Sequence, residues 1–261
     1  MSESSSFSLS RLSDVVWRAD SLAGAAGVTV ASGHAVLDAQ LPGNGWPVGS
    51  MCEILQAHGE HNEWRLLLPA LKRAAGAAMA QSSPLMLVGA PHVPFGPGLA
   101  AQGLDARRLV QVLASSPGER LWVAEQSLRC VAVQAVLAWL PQAQADQLRR
   151  LQMAAHTNSK LLFVMRPVQA RTESSPAVLR LLIASQPESD ALSLHILKRR
   201  GRPLEQPLTL SARAARLSAL LSSGRNLMGG DAAVGPVAAR VWASDSLQGT
   251  PDVVGCIASA A

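Results

Sequence analysis

The sequence predicts an α/β protein with a mostly parallel sheet flanked by helices, followed by a C-terminal antiparallel hairpin and a flexible tail. Short apolar runs alternate with helical segments along the middle of the chain, which is typical of parallel strands joined by right-handed crossovers. The chain has 261 residues, 48% of them hydrophobic, and this is enough apolar material for a packed core. We therefore divide it into a lead-in and connecting segment (1–49), an α/β core (50–210) and a tail (211–261).

The first elements of the core follow the lead-in segment. Residues 11–26 predict a short amphipathic helix, and the Gly- and Pro-rich residues 41–49 predict a connection. The compact apolar run at 50–55 predicts a buried strand. Apolar residues then recur at helical spacing over 62–80, which predicts a helix with a kink or a late start at Pro69.

The same alternation continues through the middle of the chain. Further strands are predicted at 85–88, 109–113, 133–140 and 160–165. Helices are predicted at 99–104, 116–130 and 144–156. The second of these helices has the clearest start, because Ser116, Pro117 and Glu119 supply an N-cap, a proline at the first helical position and a capping-box acid.

The pattern changes near the end of the core. Segments 179–185 and 191–198 predict an antiparallel hairpin added to the sheet, and 207–210 predicts one more strand. Beyond Ser211 the sequence is rich in Ala, Ser and Gly and has no long apolar run, which predicts a flexible tail. A short helix at 212–221 would place possible partner-binding side chains in this tail. They are Arg213, Arg216, Leu217 and Leu220.

Composition and charge limit the classes of function. Lys and Arg number 23 against 18 acidic residues, and the resulting net charge of +5 permits contact with nucleic acid or with acidic partners. Six Trp, three Phe and no Tyr are too few for the stacking platforms of single-strand binders. The longest apolar stretches fall short of the ~20 residues that span a bilayer, and the N-terminus does not resemble a signal peptide. We therefore expect a cytoplasmic protein that does not enter the membrane.

The turn after the first buried strand is where phosphates bind in doubly wound proteins, because helix N–H groups and a lysine converge there. Here the turn contains Gln56, Gly59, Asn62 and Glu63. No Lys-Ser/Thr pair follows a Gly-rich loop, and two carboxylates would face any phosphate. We predict that this loop is degenerate and that the protein holds no nucleotide or other cofactor.

The sequence indicates no catalytic centre. His58 and His61, interleaved with Glu60 and Glu63, would be a metal site only with a third ligand, and we favour a solvated turn. The sequence has no nucleophile elbow, and we place the carboxylates on helix or loop surfaces. Three widely separated cysteines, Cys52, Cys130 and Cys256, predict buried free thiols. We therefore expect a protein that is not an enzyme.

The densest cluster of positive charge lies at the end of the predicted hairpin. It consists of Lys198, Arg199, Arg200 and Arg202. Such a run is either a solvated turn or a patch that contacts phosphates or an acidic partner. If it binds DNA, replacement of Arg199 and Arg200 by Ala should weaken binding uniformly across sequences.

The order of these features resembles the RecA-like proteins and, among them, the ImuA family. The resemblance extends over about residues 15–210 and is carried by the segments 16–20, 32–38, 41–49, 53–55, 63–71, 90–95, 121–126, 135–140, 163–167 and 197–201. It implies a RecA-like core whose ATP-binding loop has Asn62 in the place of the lysine. It also implies that Ala138, Trp139 and Leu140 stand where a carboxylate would serve magnesium. Both departures imply loss of nucleotide hydrolysis.

The resemblance to ImuA implies a non-catalytic adaptor in SOS-induced translesion synthesis. Such an adaptor would bind the polymerase-like protein ImuB and RecA, and through them assist an error-prone polymerase. It would dock on RecA through the surfaces that RecA protomers use on each other, while the tail folds on ImuB. The segments 63–71 and 138–167 also resemble SulA, the SOS cell-division inhibitor that binds FtsZ, and this is the alternative function. An active ATPase would require nucleotide binding despite Asn62.

Overall fold

A computed structural model of the protein describes residues 27–74, 83–186 and 191–211. The predicted lead-in helix at 11–26 and Cys256 lie outside these residues, as does the predicted tail beyond Ser211 with Arg213, Arg216, Leu217 and Leu220. No helix within the described ranges is long and apolar enough to cross a membrane.

Ten strands and five helices make up the regular structure of the described residues. The strands are β1 (Thr29–Val30), β2 (Trp46–Pro47), β3 (Ser50–Gln56), β4 (Leu85–Val88), β5 (Leu109–Val112), β6 (Ala135–Trp139), β7 (Leu161–Pro167), β8 (Leu179–Gln186), β9 (Ala191–Lys198) and β10 (Leu208–Ser211). The helices are α1 (Ala35–Asp38), α2 (Glu63–Ala74), α3 (Gly96–Ala101), α4 (Pro117–Arg129) and α5 (Ala145–Thr157). Two 3-10 turns lie at Ala106–Arg108 and Val168–Thr172.

Eight of the strands form one sheet in the order β10-β9-β8-β3-β7-β6-β4-β5. All neighbours from β8 to β5 are parallel, whereas β8, β9 and β10 pair antiparallel. The predicted α/β class, the parallel sheet and the C-terminal hairpin are therefore confirmed. Each predicted core strand is present, and its ends differ from the prediction by one or two residues at most.

The sheet has an apolar layer on each face. Leu137 and Phe163 point to the layer that also contains Leu66 and Leu71 of α2. Their neighbours along the same strands point the other way, to a layer that contains α4 and α5, because side chains alternate along a strand. The central strands are therefore apolar on both faces, and this is why they are continuous apolar runs in the sequence.

Each predicted helix within the described residues begins within one residue of its predicted start, with one exception, whereas α1 was not predicted. The capping box at α4 is formed, since the Ser116 side chain accepts from the Glu119 N–H and Glu119 bonds back to the Ser116 N–H. The helix predicted at 99–104 lies instead at Gly96–Ala101, because the proline in its first turn sets the start earlier than the apolar residues indicate. The helix predicted over 62–80 is described as far as residue 74, and Pro69 lies inside it.

The segment before β3 has more structure than the predicted connection. The short strands β1 and β2 pair antiparallel, and Trp46 of β2 is fully buried with its ring edge-on to Phe163 at 5.3 Å. Gly33 fixes how this segment meets α2. Its φ is +86°, and a Cβ there would lie 2.4 Å from the Pro69 Cβ. Only glycine meets both constraints without strain.

Candidate functional site

A crevice lies over the carboxyl ends of β3, β4, β6 and β7, the edge at which ligands bind in open α/β sheets. Its volume is about 460 Å³. The loop after β3 forms one wall, the loop after β4 forms another, and the ends of β6 and β7 form the floor. The side chains that decide its chemistry are those of Gln56, His61, His92, Arg120, Trp139 and Met165.

The loop after β3 is closed by hydrogen bonds among its own side chains. Gln56 Nε2 donates to Glu63 Oε2 at 2.9 Å, and the Asn62 N–H donates to Gln56 Oε1 at 3.2 Å. All three residues are buried. The Asn62 N–H, a backbone donor of the kind that a phosphate loop leaves free for its ligand, is therefore bonded within the protein.

Asn62 occupies the place where the RecA resemblance implies a lysine. Its Nδ2 donates to Glu60 Oε2 at 3.0 Å, and its Oδ1 accepts from the Ser185 hydroxyl of β8 at 2.8 Å. The amide is therefore bonded within the protein on both its donor and its acceptor side, and it brings no positive charge to the crevice. The prediction that the loop binds no nucleotide stays a prediction.

Two histidines meet at the mouth of the crevice. His61 of the β3–α2 loop and His92 of the loop after β4 place their Nε2 atoms 3.1 Å apart, with the rings nearly perpendicular. One Nε2 must carry a proton and the other must accept it for this contact to be a hydrogen bond. No local pattern in the sequence pairs them, because 31 residues separate them. The described ranges contain no group of three or more side chains suited to hold a metal ion.

The floor of the crevice is aromatic rather than acidic. Trp139, at the end of β6, stands among the residues where the RecA resemblance implies a carboxylate for magnesium. It is buried, and its indole N–H has no hydrogen-bond partner. An unpaired buried donor costs about 1–3 kcal/mol. Together with Met165, this tryptophan makes the floor apolar and unsuited to a hydrated cation.

A buried ion network lies behind the crevice and joins three strands. Arg166 of β7 donates from Nη1 to Glu53 Oε1 at 3.0 Å and from Nη2 to Glu173 Oε2 at 2.7 Å. The Nε of Arg180, in β8, lies 2.7 Å from Glu53 Oε2, an ion pair whose angles fall outside hydrogen-bond geometry. Arg166 lines the crevice, yet its charge is neutralised within the protein.

Three buried carboxylates correct one prediction. The sequence predicts the carboxylates on helix and loop surfaces, but Glu53, Glu63 and Glu125 are buried. The polarity of Glu predicts a surface position, and Arg166, which pairs with Glu53, lies 113 residues later in the sequence. Glu63 and Glu125 also have local partners, Gln56 seven residues before Glu63 and Arg129 four residues after Glu125. One signal in the sequence could have identified Glu53 as buried. It is the only acid in the apolar strand β3, and two other apolar strands each contain an arginine, Arg166 in β7 and Arg180 in β8.

The predicted basic cluster lies at the other end of the strands from the crevice. The antiparallel strand β9 ends beside the start of β8, and that is the end where the parallel strands begin. Lys198 donates to the Ser175 carbonyl at 3.0 Å, and Arg199 donates to the Gln40 side chain and carbonyl. Lys198 and Arg199 therefore bond to neighbouring loops, since Ser175 precedes β8 and Gln40 follows α1. The side chains of Arg200 and Arg202 are exposed and form no ion pair or hydrogen bond within the described residues, so they are the part of the cluster free to bind.

The expectation of buried free thiols is confirmed for two cysteines. Cys52 lies in β3 and Cys130 directly after α4, and both are buried and unpaired. Burial raises the pKa of the Cys52 thiol far above its ordinary value, so it is held in the neutral form. Neither thiol belongs to the crevice.

Comparison with known proteins adds one relative to this geometry. The chain is similar to a cell division inhibitor. This relative is SulA of Edwardsiella piscicida, which is 32% identical over 106 residues. The match covers 41% of this chain and 61% of SulA, so the chain spans about three fifths of the length of that relative. No protein-family model matches the chain.

The similarity to SulA agrees with one of the two resemblances found in the sequence. It extends over less than half of this chain. The similarity neither tests nor replaces the resemblance to ImuA, which rests on a longer ordered series of segments.

Proposed function

We propose that this protein is a non-catalytic adaptor of the SOS response, of the ImuA type, that binds ImuB and RecA in translesion synthesis. The observation that carries the proposal is the closed loop at the head of the crevice, where Gln56, Asn62 and Glu63 bond to one another or to β8. A RecA-like fold with this loop is suited to bind proteins rather than to hydrolyse a nucleotide.

The electrostatics of the crevice support the absence of catalysis. A phosphate at this loop would meet the carboxylate of Glu60, which lines the crevice, and no lysine; the Glu63 carboxylate is buried and bonded to Gln56. Two like charges 4 Å apart repel by about 4 kcal/mol near a protein surface. Arg166 does not offset this repulsion, because Glu53 and Glu173 already neutralise it. Arg120 also lines the crevice, and its Nε donates to the Ala114 carbonyl.

The segment before β3 supports the ImuA type over the shorter SulA. Trp46 and Leu37 are fully buried in the same apolar layer as α2, so residues 27–49 are built into the described core. The ImuA resemblance includes this segment, whereas the sequence resemblance to SulA fits it poorly. The larger core would offer more surface for two partners than a division inhibitor requires.

The second candidate is a division inhibitor that binds FtsZ. The 32% identity to SulA favours it. Under this alternative, overexpression of the chain would produce filamentous cells, and the crevice would have no part in a mutagenesis complex.

The test is equilibrium binding of the labelled full chain to RecA filaments, to ImuB and to FtsZ, each with and without ATP. We expect saturable binding to RecA and ImuB, with no binding to FtsZ. Binding to FtsZ alone would assign the second candidate, and binding to none would refute both. For the chain alone, millimolar ATP should leave the Tm unchanged, since a ligand of the folded state must raise it.

Asn62→Lys is the variant that tests the crevice itself. Restoring a lysine removes the bonds from Asn62 to Glu60 and Ser185 but leaves Glu63 and Trp139 in place. We expect no ATP-dependent rise in Tm for this variant either. An ATP-dependent rise in Tm of Asn62→Lys alone would refute the role given to the rest of the crevice, and a rise in the Tm of the unaltered chain would refute the proposed loss of nucleotide binding.

A further inference from the structure

A groove between α4 and α5 carries an excess of positive charge. It lies on the opposite face of the sheet from α2 and has a volume of about 580 Å³. The side chains that characterise it are Glu125, Arg129, Arg149, Arg150, Met153 and Thr157. None of them belongs to the crevice or to the basic cluster at Lys198–Arg202.

Glu125 fixes two of the arginines. Its Oε1 accepts from Arg129 Nη2 and its Oε2 accepts from Arg150 Nη2, each at 2.6 Å. The carboxylate is only 12% exposed, whereas the arginine side chains are 59% and 71% exposed. The buried carboxylate of Glu125 thus fixes the guanidiniums of Arg129 in α4 and Arg150 in α5. Their remaining N–H donors face solvent.

Neutralisation of Glu125 does not account for all of this charge. A buried carboxylate requires a counter-charge, which explains Arg129 and Arg150. Arg149 is exposed and forms no ion pair within the described residues, and Asp146, one helical turn earlier, forms none there either. Three guanidiniums against one carboxylate leave two positive charges in excess in the groove.

An exposed apolar side chain accompanies these cations. Met153 lines the groove and is 61% exposed. Methionine and arginine are enriched where proteins bind proteins. A nucleic-acid backbone is contacted through its phosphates and sugars and would gain nothing from Met153, whereas an apolar side chain of a protein would cover it.

We propose that the α4–α5 groove docks an acidic amphipathic helix of a partner protein. Carboxylates of that helix would pair with Arg129, Arg149 and Arg150, and its apolar side chains would cover Met153. The proposal does not depend on which partner the proposed function names, because it concerns the charge and shape of a surface of the described core.

The test uses a fluorescent synthetic helix with leucines on one face and glutamates on the other, titrated with the full chain. A matched peptide with glutamine in place of glutamate and a duplex oligonucleotide serve as comparison probes. We expect binding of the acidic peptide that weakens at least about tenfold in Arg149→Glu/Arg150→Glu. The matched control is Arg73→Glu, which reverses an exposed arginine of α2 on the other face of the sheet.

Two further measurements separate docking from loss of fold. Arg149→Glu alone leaves the contacts of Glu125 intact and should still weaken binding of the acidic peptide. The acidic peptide should also slow oxidation of Met153 by hydroxyl radicals in the unaltered chain. Equal binding of the acidic and glutamine peptides would overturn the proposal. An unchanged affinity for the acidic peptide in both Arg149→Glu and Arg149→Glu/Arg150→Glu would overturn it too. Preferred binding of the oligonucleotide through the same arginines would overturn it as well.

Discussion

Glu53→Gln tests whether the buried ion network holds the central strands together. Glu53 is fully buried in β3, and its carboxylate is shared by Arg166 of β7 and Arg180 of β8. The substitution keeps the size of the side chain and removes its negative charge. Any loss of stability therefore reports on electrostatics and hydrogen bonding rather than on packing.

The magnitude follows from what remains around the two arginines. Removing one partner of a buried ion pair costs about 3–5 kcal/mol, because the other charge stays buried without compensation. Here Arg166 keeps Glu173, whose side chain is 54% exposed, and the Ala143 carbonyl. Arg180 keeps backbone carbonyls, among them that of Ala170 at 2.7 Å. These contacts place the expected loss at the lower end, about 3 kcal/mol.

Urea denaturation of the full chain at neutral pH measures this loss. Glu173→Gln is the matched control and should lose less than about 1 kcal/mol, since that carboxylate is half exposed. If Glu53→Gln fails to fold, the triple variant Glu53→Leu/Arg166→Met/Arg180→Met should restore folding, because apolar replacement of a whole buried ion pair is often neutral. A loss below about 1 kcal/mol for Glu53→Gln would refute the reasoning.

Three further predictions concern single side chains. Ser116→Ala should lower the free energy of unfolding by about 1 kcal/mol through loss of the α4 cap, whereas Ser115→Ala should not, as urea denaturation will show. Burial lowers the pKa of His34 despite its bond to the Leu66 carbonyl, so its contribution to stability is present above the ordinary histidine pKa and is lost as pH falls. The stability difference between the wild type and His34→Gln should therefore shrink between pH 7.5 and 5.5, and a constant difference would contradict this. Cys52, buried and with its pKa raised by that burial, should react with iodoacetamide only when the chain unfolds, which mass spectrometry of the labelled peptides can follow.

The parallel strands could be predicted because each is short, apolar and bounded by turn residues. The strand at 85–88 was predicted from its apolar run alone, and β4 is found at Leu85–Val88. Burial on both faces removes polar residues from such strands, so the local sequence carries the whole signal. The start of α4 was equally accessible, because Ser116 and Glu119 form the capping box within four residues.

Features that depend on distant residues could not be predicted in this way. The strands β1 and β2 have two residues each, too few for any period, and their position depends on Trp46 packing against Phe163. Glu53 and Arg166 are 113 residues apart, so no local pattern indicates that the charge is buried and paired. The same holds for the contact of His61 with His92.

The closed loop has a consequence for how such an adaptor would be controlled. A phosphate loop leaves donors unpaired for its ligand, so its conformation depends on whether the nucleotide is present. Here Gln56, Asn62 and Glu63 are bonded within the protein, and Ser185 ties the loop to β8. The side chains of Gln56 and Asn62 and the Asn62 N–H therefore have bonding partners in the absence of a ligand. Because a ligand shifts a conformation only through different affinities for its states, a partner that meets this edge of the sheet should find the same surface with or without ATP. Control of the proposed adaptor would then lie in its concentration and in its partners rather than in nucleotide exchange.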